Sequence, residues 1–204
     1  MKLFFNIKKK MEEKKNCDAV AIFVENFKPN DNLVKPDAET LKKISESVLP
    51  KEYINLLKNY GFGNYGNGII KVINPFEYAD NLYTWLGKED DNKLPIMMTA
   101  FGDLFYYRKL EEEEEDICVL DIHYKNIELC GYHFEDFVND FLLNEHNQNI
   151  LLRKELFSEA IKINGELKFN EIFYFQPALC IGGSENNISK GDAKVHQFVL
   201  FTLQ

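Results

Sequence analysis

The residue grouping that most resembles a chemical site is Gly61-Phe62-Gly63-Asn64-Tyr65-Gly66, whose glycines carry the G-x-G-x-x-G spacing of a dinucleotide-binding turn. That chemistry needs a strand before the glycines and a helix after them, because the helix N-terminus holds the pyrophosphate. Here the order is reversed: a helical pattern precedes the string and the strand-like Ile69 to Ile73 follows it. The string therefore reads as a turn in which the chain doubles back. Cys118 and Cys130 form a second grouping. If His123-Tyr124-Lys125 is a hairpin loop, Ile122 faces Asn126 and counting back sets Cys118 opposite Cys130. Opposed thiols could bond or, with His133, hold a metal. No C-x-x-C or H-x-x-x-H spacing accompanies them, however, and a buried free thiol is the commoner state. His123, His133, His146 and His196 show no ligand spacing, and Gly183-Ser184 lacks the G-x-S-x-G frame of a nucleophile elbow. Two acidic stretches remain, Glu89-Asp90-Asp91 and the run Glu111 to Asp116. Consecutive carboxylates on a loop lack the backbone geometry of a calcium site and usually face water, unless a basic partner meets them. The expectation is a chain with no catalytic residues, no metal and no cofactor.

The elements that position these groups are organised around Leu94 to Tyr107, where a proline-led apolar strand meets Gly102-Asp103 and a second strand leaves as Leu104-Phe105-Tyr106-Tyr107. Continuous apolarity over so few residues fits a strand covered on both faces, the centre of a sheet. Before it, Cys17 to Phe27 has helical spacing, with strand as a competitor because of its β-branched content. Asp37 suits the N-cap of a helix through Ser47, and Pro50 the first turn of another, which Gly61 ends. Asn74-Pro75 closes the strand Ile69 to Ile73 and introduces the amphipathic Phe76 to Gly87, with Trp85 as a core anchor. After the strand Ile117 to Asp121, Phe134, Phe137, Val138, Phe141 and Leu142 give the strongest helical pattern in the chain. The polar Asn144 to Asn149 marks the boundary between two units, and a helix from Leu151 to Ile163 stops at Asn164-Gly165.

With 204 residues, 45% of them hydrophobic and 14% aromatic, the chain can bury a sizeable core and carry an appended module. A net charge of -9 argues against nucleic acid as a direct partner. The only basic cluster, Lys8 to Lys15, reads as a solvated tail. No apolar run approaches the roughly 18 residues of a spanning helix, and no secretory signal is evident. The expected address is the cytoplasm, and the scattered cysteines are expected to be reduced.

The C-terminal third adds an ordered set of motifs: Leu156-Phe157-Ser158-Glu159-Ala160, then Asn164-Gly165-Glu166-Leu167, Pro177-Ala178-Leu179-Cys180-Ile181-Gly182-Gly183, and Asn187-Ile188. This order resembles the C-terminal domain of the bacterial type VI secretion DNase-immunity family, in which a helix with an LF-x-EA core precedes a P-A-L-x-x-G-G turn and an N-[LI] strand. Tyr174, where a glycine is usual, and Cys180 depart from the pattern. The preceding region resembles the GAD-like domain fused to that module, through Leu49-Pro50, Tyr53, the glycine turn, Asn74-Pro75 and Phe101-Gly102-Asp103. The resemblance implies a cytoplasmic immunity protein that binds a cognate toxin, a DNase in the characterised examples, and occludes its active site.

The expected fold is α+β: an antiparallel sheet of about five strands between Ile69 and Cys130, flanked by helices, with a smaller C-terminal helix-and-strand module. Residues 1–17 form the basic tail, 18–146 the GAD-like domain and 147–204 the immunity-type module. Glu89, Asp90, Asp91 and Glu111, Glu112, Glu113, Glu114 and Glu115 are the expected partner-binding residues. Gly102, Asp103, Pro177, Gly182 and Gly183 are the structural motif positions. A small-ligand or regulatory domain with a pocket near Pro177 to Gly183 is the alternative, and an uncharacterised hydrolase ranks after it.

Overall fold

Short polar residues open the first helices by accepting hydrogen bonds from backbone N–H groups that the helix itself cannot satisfy. In the computed structural model, which describes residues 18–111 and 114–204, Asp18 accepts from the N–H of Val20 at the start of α1 (Ala19–Asn26). The basic tail 1–17 with Cys17, and Glu112 and Glu113 of the acidic run, lie outside the described residues. Asp37 accepts from the N–H of Thr40 at 2.7 Å to open α2 (Ala38–Ser45), and α3 (Lys51–Asn59) follows Pro50. In α4 (Pro75–Leu86) Asn74 is the cap and Pro75 supplies the first turn, where its missing N–H costs nothing; Gly87 ends the helix in the left-handed region.

Among the described residues, six strands form one antiparallel sheet in chain order: β1 (Gly63–Tyr65), β2 (Ile70–Val72), β3 (Lys93–Thr99), β4 (Leu104–Lys109), β5 (Glu115–Asp121) and β6 (Asn126–Gly131). The first lies inside the glycine string itself, so the doubling-back turn also supplies an edge strand. β3 and β4 are central, and Leu104 through Tyr107 are buried on both faces. One face carries Met97, Phe105, Tyr107, Ile117 and Val119 into a core shared with α1 to α3 and α5 (Phe134–Asp136), which runs on into the π-helical turn Phe137–Leu142. The other carries Met98, Leu104, Tyr106, Cys118 and Leu120 against α4 and α8 (Ala193–Thr202). Trp85 of α4 meets Phe201 edge-on there, with ring centres 5.5 Å apart.

The C-terminal module consists of α7 (Lys154–Asn164), the two-stranded β7 (Glu171–Phe175) and β8 (Ile188–Asp192), and α8. The P-A-L-x-x-G-G segment is the loop between those strands. There Gly182 has φ 88° and Gly183 passes so close to the chain that a Cβ would sit 1.8 Å from the Pro177 carbonyl oxygen.

The structure corrects two expectations. Cys118 does not face Cys130: Asp121 pairs with Asn126, Cys118 with Leu129, and a bulge between Ile117 and Cys118 leaves Cys130 unpaired. The reason lies in the loop, where Asp121 Oδ1 accepts from the N–H groups of His123 and Tyr124 and draws Ile122 into a four-residue connection. The two thiols belong to cores on opposite faces of the sheet, and both are free. The acidic run is not loop throughout, because Glu115 and Asp116 begin β5 and Asp116 is buried. The polar stretch Asn144 to Asn149 forms a short helix, α6 (Glu145–Ile150), capped by Asn144.

Candidate functional site

The Thr99–Asp103 turn between β3 and β4 is where the sheet and the C-terminal module meet. Gly102 adopts φ 93°, and a Cβ there would stand 2.7 Å from Ile172 Cδ1, so only glycine lets β7 pack this closely. The module grips the turn by its backbone: Phe173 donates its N–H to Ala100 O at 2.8 Å and Gln197 Nε2 donates to Gly102 O at 2.7 Å. A second grip lies at β2. Lys71, fully buried, donates from Nζ to Asn64 Oδ1 at 2.8 Å and to Lys168 O at 3.0 Å, while Asn64 donates to Leu167 O. Burial lowers the Lys71 pKa to about 7.

Asp103, fully buried, is the centre of the junction. It accepts from Thr99 Oγ1, from the N–H of Ile122, and from Arg153 Nη1 at 2.9 Å. Arg153 is 6% exposed and precedes α7 with φ 48°, a conformation that costs a non-glycine residue free energy unless tertiary contacts fix it. Those contacts are here. The guanidinium carbon lies 5.6 Å from the Phe101 ring centre and 5.9 Å from that of Phe175, and Asp121 and Glu185 each come within 3.6 Å. Burial opposes the arginine's charge, but the fields of Asp103, Asp121 and Glu185 outweigh it and raise its pKa. Asp121 is pushed up by burial and then by Asp103. His123, whose Nε2 meets Phe101 O at 2.9 Å, has its pKa lowered by burial. Asp103 is visible in the sequence as a motif position, whereas Arg153 is not: it is one of three consecutive charged residues, Arg153-Lys154-Glu155, between the apolar Leu151-Leu152 and Leu156-Phe157.

Beyond Arg153 the cluster opens into a cleft of about 790 Å³. Asp121, Tyr124, Asn126 and Glu128 of the β5–β6 hairpin form one wall, and α6 and α7 form the other with Ile150, Glu155 and Glu159; Glu185 stands beside Arg153. The turn Pro177 to Gly183 does not line it.

The expected partner-binding residues that the structure describes, Glu89, Asp90, Asp91, Glu111, Glu114 and Glu115, sit toward the opposite end of β5. Lys109 donates its N–H to Asn92 O at 2.8 Å, so the Glu89–Asp91 loop and the β4–β5 hairpin with Glu111, Glu114 and Glu115 lie side by side. Two of those carboxylates are already engaged. Asp90 pairs with Lys93 at 3.1 Å, and Glu115 accepts from Tyr107 Oη at 2.6 Å and meets His133 Nδ1 at 3.2 Å. Asp116 takes both prongs of Arg108. Among the described residues, no group of three or more His, Cys, Asp or Glu is placed to hold a metal ion, and no helix is long and apolar enough to cross a membrane.

A helical layer on each face of an antiparallel sheet, tied through Asp103 to a C-terminal module, places the chain among known proteins. Residues 18–120 match the family model of the GAD-like domain, and residues 132–204 match that of the type VI secretion system (T6SS) immunity protein Tdi1, C-terminal. The chain belongs to the family in which a GAD-like domain precedes a T6SS immunity protein Tdi1 C-terminal domain, and its membership supports an immunity function against a toxin. A solved structure, the crystal structure of Atu4351 from Agrobacterium tumefaciens, shares the fold with a TM-score of 0.66 and 15% identity, over 88% of this chain and 87% of that one. No curated protein matches the chain.

Proposed function

We propose that this protein neutralises a cognate toxin by binding it and covering its active site, with no enzymatic activity of its own. The observation that carries the reading is the match of residues 132–204 to the immunity-protein C-terminal domain, in the same chain as the GAD-like domain. The packing supports it. An inhibitor that blocks a surface gains from arriving pre-organised, because little ordering entropy is then lost on association, and Asp103, Arg153, Lys71 and Gln197 tie the module to the sheet.

The acidic balance supports a nuclease as the target. A nuclease presents a basic groove to phosphates, and carboxylates placed where the phosphates lie raise the association rate and exclude wrong partners. The site of action is then the cytoplasm, where a nuclease toxin meets nucleic acid.

Co-expression tests the reading. Cells making the toxin encoded beside this chain should recover growth when the chain is supplied, and the two proteins should co-purify. Unrescued growth with both proteins present in soluble form would contradict it.

A further inference from the structure

We infer that the cleft between the β5–β6 hairpin and helices α6 and α7 is the seat of the toxin, and that it receives an arginine- or lysine-bearing segment of it. The inference rests on the immunity reading and names the surface that reading leaves open.

Charge is the first argument. The cleft is lined by Asp121, Glu128, Glu155, Glu159 and Glu185, with Arg153 the one arginine or lysine among its lining residues; Asp103 holds that guanidinium at 2.9 Å from below, and of the five lining carboxylates Asp121 and Glu185 each lie 3.6 Å from it. Glu155 and Glu159 stand one turn apart on the same face of α7, and among the described residues neither has a cationic partner. Like charges at this spacing weaken a helix. A cation from outside removes that repulsion, whereas a phosphate meets five carboxylates.

The second argument is the shape and chemistry of the rim. Tyr124 is 63% exposed on the hairpin wall and Ile150 is 61% exposed at the end of α6, so two large apolar side chains flank the charges on opposite sides. Aromatic and aliphatic anchors beside desolvated charge pairs are the usual source of long residence in protein complexes. An incoming segment would cover both. Contact that far outside the cleft favours a macromolecule over a small ligand.

The third argument is the state of the carboxylates: among the described residues, Glu128, Glu155 and Glu159 of the cleft have no cationic partner. By contrast, at the other end of the sheet Lys88 and Lys93 flank the Glu89–Asp91 loop, Lys109 lies beside it, and Asp90 and Glu115 already have partners.

The test uses the full chain and a catalytically inactivated form of the toxin encoded beside it. The doubly reversed variant Glu155→Lys/Glu159→Lys should bind at least about 100-fold more weakly at low salt, mainly through slower association, with the difference shrinking as salt rises. Glu89→Lys/Asp91→Lys should stay within about threefold of wild type. Tyr124→Ala/Ile150→Ala, which leaves every charge in place, should raise the dissociation rate by about 10-fold or more. It also reads the cleft independently if the lysine variant does not fold. A photoreactive phenylalanine at position 124 should crosslink to the toxin. If wild type binds the toxin while the folded cleft variants bind within about twofold of it, this assignment fails and the immunity reading stands. A crosslink to a second copy of this chain instead of the toxin also overturns it. If wild type itself does not bind, the immunity reading fails first.

Discussion

Replacing Arg153 by methionine removes the charge that holds Asp103 and Asp121 together while keeping an unbranched apolar stem between Phe101 and Phe175. Arg153 is 6% exposed and the Asp103 side chain wholly buried, so this is a buried pair broken from one side. Such a change costs about 3–5 kcal/mol, because the abandoned carboxylate remains in the interior. In a chain of this length the melting temperature should fall by about 6–20 °C. The loss should also depend on pH. Asp121 already has its pKa raised by burial and by Asp103. Without the guanidinium the rise at Asp121 loses its main opposing charge, and protonation of that carboxylate is favoured in the folded state over the unfolded one. The folded variant then binds more protons than the unfolded chain, so its stability recovers as pH falls from 7 toward 5. Urea denaturation of wild type, Arg153→Met, Asp103→Asn and the double variant at both pH values measures this, the cycle isolating the coupling. A loss below about 1 kcal/mol, or one equal at both pH values, would refute the assignment of Arg153 as the counterion of this cluster.

Other features of the junction are as accessible. Burial holds the Lys71 pKa at about 7, well below that of a lysine in the unfolded chain. Between those values the folded chain binds fewer protons, so wild type should gain on Lys71→Met as pH rises from 7 to 9.5, by up to about 1.4 kcal/mol per pH unit in urea melts. A pH-independent difference would show that the amine is solvated. Gly102→Ala puts a methyl group 2.7 Å from Ile172, whereas Gly87→Ala, also at positive φ, meets nothing within 4 Å. The first should therefore destabilise by about 1–3 kcal/mol more than the second in the same melts. Among Cys118, Cys130 and Cys180, only the exposed Cys180 should react with a thiol reagent in the native state, since burial pushes the Cys118 thiol up to about 11 and raises that of Cys130 further. Rapid native labelling of Cys118 would contradict its place under α4.

What the sequence made legible was local. Asp37, Asn74-Pro75 and Gly87 announce helix ends because a cap needs only its own neighbours, and Leu104 to Tyr107 announces a central strand because both of its faces are apolar. What was missed turns on contacts that residue spacing does not show, most of them distant in sequence. The hairpin register was set by Asp121 capping its loop and by the Ile122 N–H reaching Asp103, 19 positions back, and neither shows in a count of alternating residues. Arg153 could not be found by spacing, because its meaning comes from Asp103, 50 positions away. The acidic stretches were visible as charge, but which carboxylates are spent on internal partners appears only once the strands are paired. The cleft, assembled from the hairpin, α6, α7 and Glu185, has no contiguous signature.

The central claim is that this chain silences a toxin by sitting on it, and titrating the purified toxin's activity with the purified chain tests it most directly. The account predicts that activity falls linearly to zero at one equivalent, with a complex of matching stoichiometry on a sizing column. Undiminished toxin activity at a tenfold excess of folded protein, with the two eluting separately, would contradict it.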